Sequence, residues 1–152
     1  MTNDPSPTMF AAVDGHVARF GDAIILIGRV LFGWLLLISG WAKLMNIASI
    51  VGYLTALGVP NPGFWAWPAT FAELILGGCL VLGLATRYAA IGSFIYIAIA
   101  TAIAHRYWQY VPPRQIAEYI NFLKNISLMG GALAILVVGA GRYSLDWMMR
   151  RK

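Results

Sequence analysis

The stretch LMNIASIVGYLTALGVPNPGFWAWPATFAELILGGCLVLGLAT, residues 44–86, runs from Lys43 to Arg87 with a single charged side chain, Glu73. Its second half, 65–85, is apolar and long enough to cross a bilayer, since about 20 residues at a rise of 1.5 Å each span the hydrocarbon. Glu73 thus lies at membrane depth. An ionisable group there costs about 2.5 to 3.5 kcal/mol on insertion scales and needs a protein interior, a partner charge or water around it. The stretch decides the fold class, an all-α membrane protein, and turns the functional question into what Glu73 faces.

Composition agrees with this reading. The chain has 152 residues, 60% of them apolar and 11% charged, and a mean hydropathy of +0.72, far from a soluble domain. The formal charge of +5 comes from Lys and Arg spread singly through apolar sequence and clustered only at the C-terminus. They read as topology signals, not as a nucleic-acid surface, and no nucleic-acid partner is expected. Cys79 is the only cysteine, so the sequence has no internal disulfide, CxxC pair or thiolate cluster. With two His, one Cys and no paired carboxylates in the spans, a metal site is not expected. Haem-ligand pairs, cluster cysteines and a dinucleotide loop are also missing, so no intrinsic cofactor is expected and any electrons come from a partner. Asp4, Asp14, Arg19 and Asp22 near the start argue against a cleaved signal peptide.

Working outward, the first span is expected over 22–44, with Asp22 as N-cap and Lys43 at its end. Residues 47–64 are apolar but broken by Gly58, Pro60, Pro62 and Gly63, which predicts a short helix and a turn, interfacial or re-entrant. Whether this segment is a lid, a partner surface or a wedge stays open. The second span is expected over 65–85, with Pro68 in its first turn. The third is expected over 86–105, before His105-Arg106-Tyr107-Trp108. Pro112-Pro113 excludes helix over 109–117, and the fourth span is expected over 118–139. Short connections imply an antiparallel four-transmembrane-helix bundle. The domain reading is a polar, amphipathic segment over 1–21, a transmembrane domain over 22–146 and a basic tail over 147–152. Met9, Phe10, Val13, Val17 and Phe20 fit a short interfacial helix, while Gly15 and Gly21 equally allow a disordered tail.

Four spans put both termini and the Arg87 turn on one side. That side carries Arg19, Arg87, Arg142, Arg150, Arg151 and Lys152, against Lys43, Arg106 and Arg114 opposite. The excess predicts cytoplasmic termini, with residues 47–64 and 106–117 on the outer side.

Rise per residue groups the polar side chains by depth. Lys43 ends the first span, Glu73 lies about 12 Å inside the second, His105 ends the third and Lys124 lies about 9 Å inside the fourth, flanked by Asn121 and Asn125. Glu73 is expected to pair with Lys124 or Lys43, either of which keeps it ionised. Arg29 lies about 10 Å inside the opposite end. Arg29, Gly33, Leu36, Gly40 and Lys43 follow one another at steps of four and three, marking the inward stripe of the first span. Arg29, Arg87, Arg142 and Asp146 are expected as structural buried charges, Arg29 tied to Asp146 or to the carbonyl end of the fourth span. The bland readings stand beside the functional ones: interfacial snorkelling for Lys43, a boundary position for His105 and a purely structural ion pair for Glu73.

GRVLFGWLLLISGWAKL (28–44), YLTALGVPNP (53–62), AELILGGCLVLGLATRYAA (72–90) and AEYINFLKNISLMGGALAILVVGAGRYSLD (117–146) together resemble the DoxX family of small four-helix membrane proteins. The resemblance covers residues 22–146 in order. It implies a four-span bundle in a bacterial or archaeal cytoplasmic membrane. It further implies association with redox enzymes, quinone-reducing sulfur oxidoreductases among them, as a membrane subunit or helper. Arg29, Ser39, Lys43, Glu73, Arg87, Asn121 and Arg142-Tyr143-Ser144 match family positions, and His105 matches a histidine frequent near the end of the third span.

The leading functional expectation is an accessory, non-catalytic membrane subunit of a redox system. Lys43, Glu73, His105, Asn121, Lys124 and Asn125 would form an outer-half pocket for a quinone head or a lipid, since quinone carbonyls need donors and Glu73 or His105 can exchange protons. The expected partners are the bilayer, membrane-associated redox proteins and further copies of the chain. Two readings compete: an anchor for assembling other membrane proteins, and a carrier of small molecules or lipids.

Overall fold

The computed structural model describes residues 9–151. Among these it is all-helical, with α1 (Met9–Met45), α2 (Ile47–Ala56), α3 (Pro62–Leu82), α4 (Thr86–Ala104), a 3-10 turn at Tyr107–Gln109, α5 (Arg114–Val138) and α6 (Leu145–Met149). Four segments among the described residues are long and apolar enough to cross a membrane: Val17–Met45, Pro62–Leu82, Thr86–Gln109 and Arg114–Val138.

Several boundaries differ from expectation for identifiable reasons. α1 begins at Met9 and runs unbroken into the span, so described residues 9–21 extend that helix and form neither a separate helix nor a tail. Residues 1–8 lie outside the described part. Asp22 is helical and not an N-cap; its Oδ1 accepts the Arg142 backbone N–H at 2.9 Å. α3 starts at Pro62, where a proline costs nothing because a first-turn N–H has no helical acceptor. Pro68 therefore lies inside α3, beyond its first turn. α5 likewise starts at Arg114, directly after Pro113 at its N-cap, four residues before the expected start at Glu118. α6, capped by the Ser144 hydroxyl accepting the Trp147 N–H, was not anticipated.

Glycines decide how closely the helices pack. A Cβ at Gly33 would stand 2.7 Å from the Gly77 carbonyl oxygen, and a Cβ at Gly77 would stand equally close to that of Gly33. Gly40 likewise meets Leu74 and the Glu73 side chain. Backbones in such contact gain dispersion that bulkier residues would prevent. The contacts run in opposite residue order, which makes α1 and α3 antiparallel, and Leu76 against Gly92 with Glu73 against Tyr96 does the same for α3 and α4. Of the expected inward stripe of α1, Arg29, Gly33, Leu36 and Gly40 are buried and Lys43 is half-buried, with Phe32 buried beside them. α3 turns Ala66, Thr70, Glu73, Gly77 and Leu80 inward at heptad spacing. The small core is completed by Ala89 and Ile97 of α4 and Ala132 of α5. α2 packs against α3 and α1 with no residue fully buried.

Candidate functional site

Glu73 is 5% exposed, and its pairing decides the character of the site. Lys43 and Glu73 form an ion pair through Glu73 Oε1. The Tyr96 hydroxyl donates to the same oxygen at 2.8 Å, and Lys43 Nζ also lies 3.4 Å from the Tyr96 oxygen and 6.0 Å from its ring centroid. The three side chains come from α1, α3 and α4. Helix geometry explains how Lys43 reaches Glu73 from the end of α1. Opposite Gly40 stand Glu73 and Leu74, so Lys43 emerges nearly a turn further along. Cα–Cβ bonds tilt toward the N-terminus, and on antiparallel helices this leans the two side chains toward each other.

Hydrogen-bonding capacity remains unused on Glu73, Ser93 and Lys43 among the described residues. Glu73 Oε2 is buried without a hydrogen-bond partner among the described residues, as is the Ser93 hydroxyl of α4. A lysine ammonium carries three donors; two are directed at Glu73 and Tyr96, which leaves one. Glu73 lies eleven residues past Pro62, about 17 Å along α3. That is deeper than the sequence suggested, because α3 starts earlier.

The other expected members of the pocket lie elsewhere. Lys124 does not pair with Glu73: it is exposed on α5 and makes no ion pair among the described residues. The reason is phase, because the face of α5 turned inward carries Glu118, Asn121, Asn125 and Ala132. His105 caps α4 and its Nδ1 lies 2.7 Å from Glu118 Oε2. Nine residues of α4 separate it from Tyr96, about 13 Å, so it belongs to a second cluster. Asn125 donates to the Thr101 hydroxyl at 2.8 Å, and Asn121, about one turn earlier on α5, is half-buried. Near His105, Arg106 donates to the Leu57 carbonyl at 3.2 Å.

Of the four charges expected to be buried, only Arg29 is fully so, at 1% exposure. It donates to the Tyr143 carbonyl at 2.7 Å and not to Asp146. Its guanidinium fills the space beside Gly83, where a Cβ would collide with Nη1. Gly83 has φ 69°, in the left-handed region that suits glycine, and ends α3. Asp146 is half-buried and accepts the backbone N–H groups of Ala85 and Thr86 at 2.7 and 2.9 Å, which caps the start of α4. Burial pushes its carboxyl upward, but the Thr86 and Ala85 amides, the Thr86 side chain and the nearby Arg150 together outweigh it and hold Asp146 below the ordinary carboxylate range. Arg87 and Arg142 are exposed; Arg87 reaches the Val137 carbonyl at 3.3 Å.

Tyr96, Thr101 and Glu118 are members of these clusters that the sequence reading missed. Tyr96 carried a usable signal: it is a phenol in the interior of a span, whereas tyrosines at membrane depth favour the interfaces. Glu118 carried none, because a carboxylate at the first residue of the expected fourth span is simply favourable near a helix N-terminus.

Comparison with known proteins bears on the same residues. The DoxX family model matches residues 24–106, which include Lys43, Glu73 and Tyr96. Inner membrane protein YphA of Escherichia coli (strain K12) is 35% identical over 131 residues, covering 84% of this chain and 93% of that protein. Inner membrane protein YqjF of the same strain is 28% identical over 137 residues, covering 88% and 98%. No solved structure matches the chain.

Proposed function

This chain belongs to the DoxX family, and from that premise we propose that it is a multi-pass inner-membrane subunit of a quinone-linked redox system with both termini in the cytoplasm. The Lys43–Glu73–Tyr96 centre holds the head of the quinone or quinol. One observation carries this reading: a buried carboxylate with one oxygen held by two side chains and the other free to accept. The free acceptor suits a quinol hydroxyl, and the spare Lys43 donor suits a quinone carbonyl. The centre thus offers one complementary atom to each redox form. A bound quinone supplies the two-electron chemistry, and a partner protein supplies the electrons. The chain's own part is to orient the head group and to relay a proton through Glu73 Oε2 to the quinone oxygen as the partner's electrons reduce it. The redox partnership rests on what the family resemblance implies, and the inner-membrane location on YphA and YqjF.

The structural reading keeps a specific observation of its own, because the same trio ties three helices in one register. Tyr96→Phe separates the two readings. It removes a hydroxyl and leaves the Lys43–Glu73 pair intact, so the variant should accumulate in membranes like wild type. Binding of a short-chain benzoquinone to the purified protein in detergent should weaken, because the hydroxyl that holds Glu73 Oε1 in place is gone while Oε2 and Lys43 remain. Unchanged binding, or a wild type that binds no quinone, would leave the trio with a structural role only.

A further inference from the structure

The end of the molecule opposite the Arg106 loop holds a feature unrelated to the Glu73 centre. Between the flank of α1 and the C-terminal segment lies an open cavity of about 410 Å³, lined by Arg19, Phe20, Arg142, Tyr143, Trp147 and Arg151, with Asp22 also at its wall. Three guanidiniums face one carboxylate, so the cavity carries net positive charge. Two of them are held against one indole ring: Arg142 lies 5.5 Å and Arg151 4.9 Å from the Trp147 ring centroid. Asp22 engages Arg142 through its backbone N–H at 2.9 Å and its Nε at 3.9 Å. The Arg142 side chain is still 64% exposed, so its charge remains available to a ligand.

A second observation extends the cavity into the membrane. Beginning at Phe20, the residues Ile24, Ile27, Leu31 and Ile38 follow at steps of three, four and seven along α1. These five residues are between 50% and 66% exposed. At 100° per residue they lie within a narrow stripe of one helix face. A cationic, aromatic-walled cavity therefore opens directly onto an apolar track about 27 Å long, close to the thickness of the hydrocarbon core.

We propose that this cavity and track form a binding site for an anionic phospholipid, the phosphodiester lying among Arg19, Arg142 and Arg151 and an acyl chain along the α1 stripe. Guanidinium pairs recognise phosphate oxygens bidentately, and Trp147 and Tyr143 suit the headgroup level of the bilayer. The track distinguishes a lipid from free phosphate, which has nothing to place on it.

Native mass spectrometry of the purified protein tests this, with phosphatidylglycerol, phosphatidylethanolamine or inorganic phosphate added in turn. Wild type should retain phosphatidylglycerol in preference to phosphatidylethanolamine, and inorganic phosphate at equal concentration should not displace it. Each basic residue near an anionic headgroup is worth about fivefold, so Arg142→Gln with Arg151→Gln should lose about 30-fold in phosphatidylglycerol retention. Arg114→Gln, at the other end, should leave it unchanged. Arg19→Gln, on α1 and clear of the C-terminal packing, should lose about fivefold and reports on the site if the double variant does not fold. Equal retention in the Arg19 variant, or equal binding of the two lipids by wild type, overturns the site. Displacement by inorganic phosphate overturns its assignment to lipid.

Discussion

Asp146 joins the ends of two elements through its two oxygens, each taking one backbone N–H at the start of α4. Amide donors stabilise the charged form, so folding and ionisation are linked. Because the folded carboxyl is held below its ordinary range, its contribution is fully present above the unfolded value, near pH 3.9, and is lost as pH falls through the folded one. Asp146→Asn should therefore melt below wild type at pH 7 in a detergent thermal scan. The gap should close as the pH is taken below about 4. A gap constant with pH would mean that charge plays no part in the cap. None of this was legible in the sequence, where Asp146 looked like a partner for Arg29. A carboxylate and an arginine of similar depth suggest a pair, but a helix start with free N–H groups competes for the carboxylate. The structure places those groups nearer.

At the scale of elements, the two lysines expected to reach Glu73 have different surroundings because α1 turns the face of Lys43 inward and α5 turns that of Lys124 outward. Lys43 continues the glycine-bearing stripe of α1 that packs on α3, and the stripe was visible in the spacing from Arg29 onward. Lys124, within a few ångströms of Glu73 by the depth expected from the sequence, looked an equally good partner. The choice lies in the rotation of α5, set by Asn125 against Thr101 and Glu118 against His105. Lys43→Leu leaves Glu73 buried without its cation and should cost about 3 to 5 kcal/mol, with loss of protein from membranes. Lys124→Leu, on an exposed face, should change stability by no more than about 0.5 kcal/mol. The comparison requires only the yield and melting temperature of the two variants in one detergent. The reverse ranking would make Lys124 the counter-charge of Glu73.

At the scale of the whole molecule, the basic residues lie mainly at the end holding the Arg87 turn and α6. The orientation proposed above follows the positive-inside rule and has that end in the cytoplasm. In a Cys79→Ala background, Val111→Cys should react with an impermeant maleimide in spheroplasts, and Met149→Cys only after permeabilisation; both native side chains are well exposed. The opposite pattern would invert the orientation and move the proposed lipid site to the other leaflet. What the sequence by itself determined about this protein is its class, its number of spans and the inward stripe of α1, because bilayer thickness and helical periodicity act locally along the chain. Only the tertiary structure decided that Glu73 takes Lys43 and Tyr96, that His105 takes Glu118 and that Arg29 takes a carbonyl. Those pairings depend on helix rotation and on boundaries a few residues earlier than expected. A shift of one residue turns a helix face by about 100°, which is enough to exchange an inward partner for a lipid-facing one.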